Sequence, residues 1–286
     1  MSELKMKNAG HANAFAKRVY EILQTLLRGY WRITRGRKER VFGDDFLFDP
    51  STHFPSFRRL KLPRNEIFST IVRYGDYVQT HSAYRIVHDV KHEPVVVDVG
   101  AHHGIYAVLL GKAAQRKKGT VLAIEPNPSA FKILQENVKL NALEDTIRCE
   151  NIGIMDREGS LSVLGDDEQS RILESETKEG FQVKVQPLSK LLKKYALASI
   201  DLLIIDVEGA ELKVLRSIDW KKTEVKNIFC ELHPYNWKTF GHSGKDLSLF
   251  LERHEFRCFD MYLREHRVFE ENAYIGPTFF IRENIR

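Results

Sequence analysis

From Pro94 onward the chain alternates apolar runs of strand length with helical patterns, and this alternation limits the folds open to it. VVVDV precedes IYAVLLGKAAQ, TVLAIE precedes PSAFKILQENVKLN, and IRCENI, DLLIID, AELKVLRSI, NIFCEL, DLSLFLERH, RCFDMYL and TFFIRE continue the series. Strands that are apolar almost without interruption need burial on both faces, and the intervening helices supply the cover. A mainly parallel α/β sheet is therefore expected. The acid-rich stretch Gly165–Gly180 carries neither period and reads as an excursion, either a hairpin tip or a surface loop.

The chain ahead of this region reads differently, and we divide it into an N-terminal helix and arm over 1–63 and a main domain over 64–286. Phe15, Val19, Ile22, Leu23 and Leu26 recur at helical spacing between Ala12 and Leu27. Behind them Arg28, Arg32, Arg35, Arg37, Lys38 and Arg40 face one acid, Glu39. That is either a docking helix with a solvated basic tail or a patch for anionic lipid or a phosphorylated substrate. Pro50, Pro55 and Pro63 punctuate an arm, and residues 64–91 read as two short helices broken near Gly75. A net charge of +5 with both signs interspersed gives no reason to expect nucleic acid. Cys149, Cys230 and Cys258 are scattered, which argues against a disulfide framework or zinc knuckle. No apolar run reaches the ~18 residues of a membrane span. The start of the chain has no secretory pattern, so the expected address is cytoplasmic.

In an open parallel sheet, ligands bind past the carboxyl ends of the strands. The first such end is VVVDVGAHHGIYAVLLG, where Gly100 and Gly104 bracket Ala101, His102 and His103. Glycines let the backbone turn sharply beside a ligand, and a helix opening near Ile105 aims its amides at the turn. A dinucleotide is disfavoured, because His102 stands where the second glycine of GxGxxG belongs and would collide with a pyrophosphate. Asp98 ends the first strand and Glu125 the second. Buried unpaired carboxylates are costly, so two acids closing consecutive apolar strands point to a polar ligand. S-adenosylmethionine fits, with an ammonium group for Asp98, ribose hydroxyls for Glu125 and a cationic sulfonium that favours acids nearby.

Asp206 closes the strand Ile200–Ile205 and is placed to meet the methionine end of that cofactor or an acceptor hydroxyl. A helix opening at Val207 would carry Glu208 and Glu211 in its first turn, favoured there by the helix dipole, with Leu212, Leu215 and Ile218 on its core face. Three acids in six residues could also suggest Mg²⁺, but both glutamates would point around the helix, away from Asp206, so no metal site is expected. His233 follows NIFCEL and is the candidate general base, since an unperturbed imidazole near 6.5 accepts a proton at neutral pH. Its alternative role is a strand-end histidine bonded to backbone. Glu231 would orient His233 or a substrate hydroxyl, or pair with a basic neighbour. Asn127 borders the ribose and adenine in this reading, and Asn151 the adenine edge. Catalytic work is assigned to Asp206, His233 and Glu231. Cofactor contacts are assigned to Asp98, Gly100, Ala101, His102, Gly104, Glu125, Pro126, Asn127, Asn151 and Asp206.

VVVDVGAHHGIYAVLLG, VLAIEPNPSAFKILQENVKLN and SIDLLIIDVEGAELKVLRS resemble the signature blocks of the FkbM-type S-adenosylmethionine-dependent methyltransferases, over roughly Gln79 to the C-terminus. The family's first block usually reads DVGANxG, and its third usually has lysine before the isoleucine–aspartate pair; this chain has His102 and Ile204 there. The resemblance implies a Rossmann-like class I methyltransferase fold, with a seven-stranded, mainly parallel sheet, helices on both faces and here an N-terminal helical extension. It also implies O-methylation of a sugar, glycan or natural-product hydroxyl. The competing reading is a non-catalytic scaffold that keeps the fold and works through its basic N-terminal helix.

Overall fold

The computed structural model describes residues 37–41, 44–49, 52, 80–164, 171–173, 181–260, 264–270 and 276–282. The chain divides into two compact units, Met1–His53 and Phe54–Arg286. In the first, β1 (Arg37–Val41) and β2 (Asp44–Phe48) pair antiparallel, so Arg37, Lys38 and Arg40 sit on a hairpin strand. Phe46 and Phe48 of β2 are buried. The helix expected from Ala12 to Leu27, most of the basic segment behind it and the first of the two helices expected over 64–91 lie outside the described residues. The second is a helix, α1, over residues 80–89.

The second unit is built on β3 (Val95–Val99), β4 (Thr120–Ile124), β5 (Ile147–Glu150), β11 (Leu202–Ile205), β13 (Asn227–Leu232), β14 (Phe256–Asp260), β15 (Glu265–His266) and β16 (Gly276–Arg282). These form one sheet in the order β15–β14–β16–β13–β11–β3–β4–β5. Five strands from β13 to β5 are parallel, and β16 runs antiparallel between β13 and β14. With β15 only a two-residue edge, this is the seven-stranded sheet expected. The parallel strands are apolar for the expected reason: Leu202, Leu203, Ile204 and Ile205 of β11 and Val121–Ile124 of β4 are all buried. Each such Leu or Ile contributes roughly 1.5–3 kcal/mol on burial, before the entropy of ordering is subtracted.

Crossover helices start where local chemistry allows. Pro128 opens α3 (Pro128–Leu140), and the Asn127 side chain accepts from the Ser129 and Ala130 amides. Ser243 and Asp246 form a reciprocal capping box on α6 (Gly244–Arg253). α2 (Ile105–Gln115) precedes α3, and α4 (Leu188–Lys194) and α5 (Glu211–Arg216) lie between α3 and α6. The chain winds outward from β3 through β4 to β5, then resumes at β11 on the other side of β3. That reversal opens a crevice past the carboxyl ends of β3 and β11.

A second, four-stranded sheet was not anticipated. Its strands are β6 (Gly153–Ile154), β7 (Gly159–Leu164), β8 (Arg171–Leu173) and β9 (Phe181–Gln186), in the order β6–β9–β7–β8. β8 occupies the middle of the acid-rich excursion and pairs antiparallel with β7, while 165–170 and 174–180 lie outside the described residues. Met155, Leu161, Val183 and Val185 from this region form a small core with Ala210 and Phe240. The second sheet thus braces the chain that follows Asp206. Among the described residues no helix is long and apolar enough to cross a membrane.

Candidate active site

The loop after β3 is held by its neighbours on both sides. The Gly100 and Ala101 amides both donate to the Ile124 carbonyl, and Gly100 adopts φ 88°. A Cβ on Gly100 would stand 1.8 Å from the Asp206 carbonyl oxygen, so the two strand ends meet only because that residue has no side chain. His102 takes φ 48°, in the left-handed region, and its ring stacks on His103 at 3.8 Å. Asn137, buried on α3, donates from Nδ2 to the His103 carbonyl and pins the loop from below. Gly104 caps α2.

Two buried acids face this loop. Asp98 is 1% exposed and accepts from the Ala107 amide in the first turn of α2, yet its Oδ2 has no hydrogen-bond partner. Burial, reinforced by the charge of Glu125, pushes its carboxyl up to about 7. Glu125 accepts from the His102 amide on Oε2 and the Asn127 amide on Oε1, both at 2.7 Å. Burial also lifts Glu125 to about 7, against those two amides, which pull it down. Asn151 donates from Nδ2 to the Glu125 and Pro126 carbonyls, at 2.8 and 3.1 Å. Its amide therefore fixes the backbone that carries Glu125 and borders the ligand region indirectly.

The side of the crevice past β11 and β13 corrects two expectations. The helix after Asp206 begins at Glu211, not Val207, because Glu208 and Gly209 take φ 51° and 111° and make a left-handed turn. A Cβ on Gly209 would lie 2.5 Å from the Cβ of Asn236, and Asn236 donates to the Glu208 carbonyl, so the turn fits only against the 3-10 helix Pro234–Phe240. Glu208 is thereby turned toward Asp206 instead of away from it. Both carboxylates face His233 Nε2, Glu208 Oε2 at 3.6 Å and Asp206 Oδ1 at 3.8 Å, with Glu231 Oε1 at 4.0 Å. Ligand atoms of Asp206, Glu208 and His233 all lie within 4.8 Å of one another. The ground for expecting no metal site is therefore removed.

The second correction concerns Glu211. It is 1% exposed, not a solvated helix-dipole residue, and accepts from His233 Nδ1 at 2.8 Å, Trp237 Nε1 at 2.9 Å and the Gly209 amide at 2.9 Å. Glu211, not Glu231, orients His233. Burial alone would lower the imidazolium, but the Glu211 hydrogen bond and charge, with Asp206 and Glu208, outweigh it and hold His233 at about 9. An unperturbed histidine was the premise for a base at neutral pH; here the ring carries its proton until a cation or ligand relieves the surrounding acids. The recess raises the Asp206 carboxyl by withholding water, with His233 pulling it down and Glu208, Glu211 and Asp98 pushing it up. Tyr235 closes this side, donating to Glu208 Oε2 at 2.8 Å with its ring edge-on to His233.

The sheet order thus gathers Asp98, Gly100, Glu125, Asp206, Glu231 and His233 around one crevice. Sequence alone gives Glu208 and Glu211 only a helix-dipole role, and does not single out Tyr235 and Asn137. Of these only Glu211 carried a usable signal, an acid beside an apolar helix face.

Residues 98–258 match the methyltransferase FkbM domain. The chain is 29% identical over 182 residues to methyltransferase sdnD of Sordaria araneosa, covering 52% of this chain and 68% of that protein. It is 27% identical over 162 residues to methyltransferase 1 of Beauveria bassiana, covering 48% and 64%. A solved methyltransferase FkbM structure from Methylobacillus flagellatus aligns with a TM-score of 0.43 at 16% identity, over 66% of this chain and 43% of that one. Matched across more than half of its length, the chain belongs to the FkbM methyltransferase family.

Proposed function

We propose that the chain transfers a methyl group from S-adenosylmethionine to a hydroxyl of a sugar, glycan or natural-product acceptor. The observation that carries this reading is Asp98, a buried strand-end carboxylate with one oxygen unpaired beside a glycine turn. Such an oxygen costs free energy unless a ligand completes it, and an ammonium group is a fitting partner. Glu125, closing the neighbouring strand, offers a second acid for ribose hydroxyls.

The cofactor supplies a methyl already activated by the sulfonium charge. What remains for the protein is alignment and removal of the hydroxyl proton. Asp98 and Glu125 hold one side of the crevice. Asp206 lies between them and His233 and is placed to accept that proton, while Glu211 keeps the imidazole facing the same point. Met155, Leu161, Val183 and Val185 from the small-sheet region pack with Phe240 against Ala210 and brace the end of the turn that follows Asp206.

Calorimetry with S-adenosylmethionine, followed by tritiated-methyl transfer over sugars, lipids and small polyols, tests the reading. Micromolar cofactor binding weakened at least tenfold by Asp98→Asn, with label recovered in an ether linkage, is expected. Failure of the wild-type protein to bind the cofactor would favour the non-catalytic scaffold.

A further inference from the structure

We propose that Asp206, Glu208 and His233 form a binding site for one divalent transition cation of the Mn²⁺ or Zn²⁺ class. The first ground is geometric. One oxygen from each carboxylate and His233 Nε2 lie within 4.8 Å of one another, and the Nε2 contacts are 3.6 and 3.8 Å. Ligands bound at about 2.1 Å in cis positions stand about 3 Å apart, so small side-chain movements close the set around an ion.

The second ground is independent of the acid cluster. His233 is 5% exposed, and its Nε2 points into the cluster with every neighbouring carboxylate beyond hydrogen-bond range. The opposite nitrogen, Nδ1, is committed to buried Glu211 at 2.8 Å. That bond fixes the ring and the tautomer, leaving an Nε2 lone pair aimed at the carboxylates once the ring is neutral. A buried carboxylate behind the outer nitrogen is the arrangement that metal-bound histidines use. Tyr235 supports the outer ligand from the other side by donating to Glu208 Oε2.

One nitrogen with two carboxylate oxygens favours a borderline cation over Ca²⁺ or Mg²⁺, which prefer all-oxygen shells. Three protein ligands leave positions open, and Asp206 brings the cluster to the carboxyl end of β11, at the crevice. A hydroxyl oxygen bound there would have a lowered pKa, which is how the site would serve the proposed transfer. That purpose rests on the methyl-transfer reading; the existence of the site does not.

The test uses the full chain, stripped with chelator, titrated with Mn²⁺ in the absence of S-adenosylmethionine, and followed by calorimetry and pulsed electron paramagnetic resonance. One saturable site per chain is expected, with a histidine nitrogen coupling that disappears in His233→Asn. Glu208→Gln, at a half-exposed position, should weaken binding at least tenfold while keeping the wild-type melting temperature and cofactor affinity. Asp98→Asn should lose cofactor affinity and keep Mn²⁺, so failure of the methyl-transfer reading would be seen separately. No saturable binding, no nitrogen coupling, or equal affinity in Glu208→Gln would overturn the site.

Discussion

Glu211 Oε1 and His233 Nδ1 lie 2.8 Å apart, both residues almost wholly buried, and this contact joins the helix after β11 to the end of β13. Glu211 accepts from three donors, His233, Trp237 and the Gly209 amide, and donates to none. An amide in its place must turn an NH₂ group toward at least one of those donors. Glu211→Gln is therefore expected to cost about 2 kcal/mol, which for a chain of this size lowers the melting temperature by about 4–8 °C. Methyl transfer should fall at least tenfold as the imidazole loses its fixed orientation. Thermal denaturation and single-turnover kinetics check both, and a variant with wild-type melting and turnover would deny Glu211 its positioning role.

Gly100 has no room for a side chain. Its φ of 88° and the 1.8 Å clash of a Cβ with the Asp206 carbonyl act together, because that carbonyl belongs to the neighbouring strand end and cannot retreat without moving β11. Gly100→Ala should destabilise by more than about 3 kcal/mol and abolish cofactor binding even where the protein still folds. Urea unfolding with parallel calorimetry tests it. Retention of both properties would mean the two strand ends are less tightly joined than described.

The legible part of this molecule was the part set by local pattern. Val95–Val99, Thr120–Ile124 and Leu202–Ile205 announce buried strands through continuous apolar sequence, and Asp98, Glu125 and Asp206 stand out as acids at their ends. His102 is intelligible afterwards. It sits at φ 48°, a conformation that asparagine and histidine both adopt more readily than most residues, so histidine is tolerated at a position where the backbone turns left-handed. Glu208 was misplaced because the left-handed Glu208–Gly209 turn depends on Asn236, twenty-odd residues away in sequence, and helix propensity alone starts the helix too early. In the small sheet only β9, FQVKVQ, carries a clear two-residue alternation, which was overlooked; β6 and β8 have two and three residues, and β7 alternates serine with apolar residues too briefly to stand out.

Tyr235 should shape affinity for the acceptor more than it shapes the chemistry. The residue is 60% exposed, its hydroxyl donates to Glu208, and its ring stands edge-on to His233. Tyr235→Phe removes the hydroxyl and keeps the ring, so stability should stay within about 0.5 kcal/mol of wild type, as at other exposed positions. The acceptor KM is expected to rise roughly three- to tenfold with kcat changed less than KM. Steady-state kinetics with the acceptor varied would decide, and an unchanged KM would remove Tyr235 from the acceptor side.

Cofactor binding should depend on pH through Glu125. Burial raises its carboxyl from the usual 4.5 to about 7, so the folded protein holds a proton that the unfolded chain has already released. Between about pH 4.5 and 7 the folded state binds more protons, and the ligand-free protein is expected to lose stability as pH rises through that window. Cofactor affinity should move the opposite way, because ribose hydroxyls donate to the anion. Below pH 7 the ionisation of Glu125 alone should lower the dissociation constant by up to about tenfold per unit as pH rises, then level off. Glu125→Gln should flatten the affinity profile, and because both Glu125 oxygens accept from backbone amides, the NH₂ group of the variant faces one of those donors and should lower the melting temperature of the ligand-free protein. Asp98, also near 7, adds to the slope, so the variant should reduce the dependence without erasing it. Calorimetry from pH 5.5 to 8.5 on both proteins measures it; an affinity independent of pH in the wild type would take the anionic Glu125 out of the cofactor site.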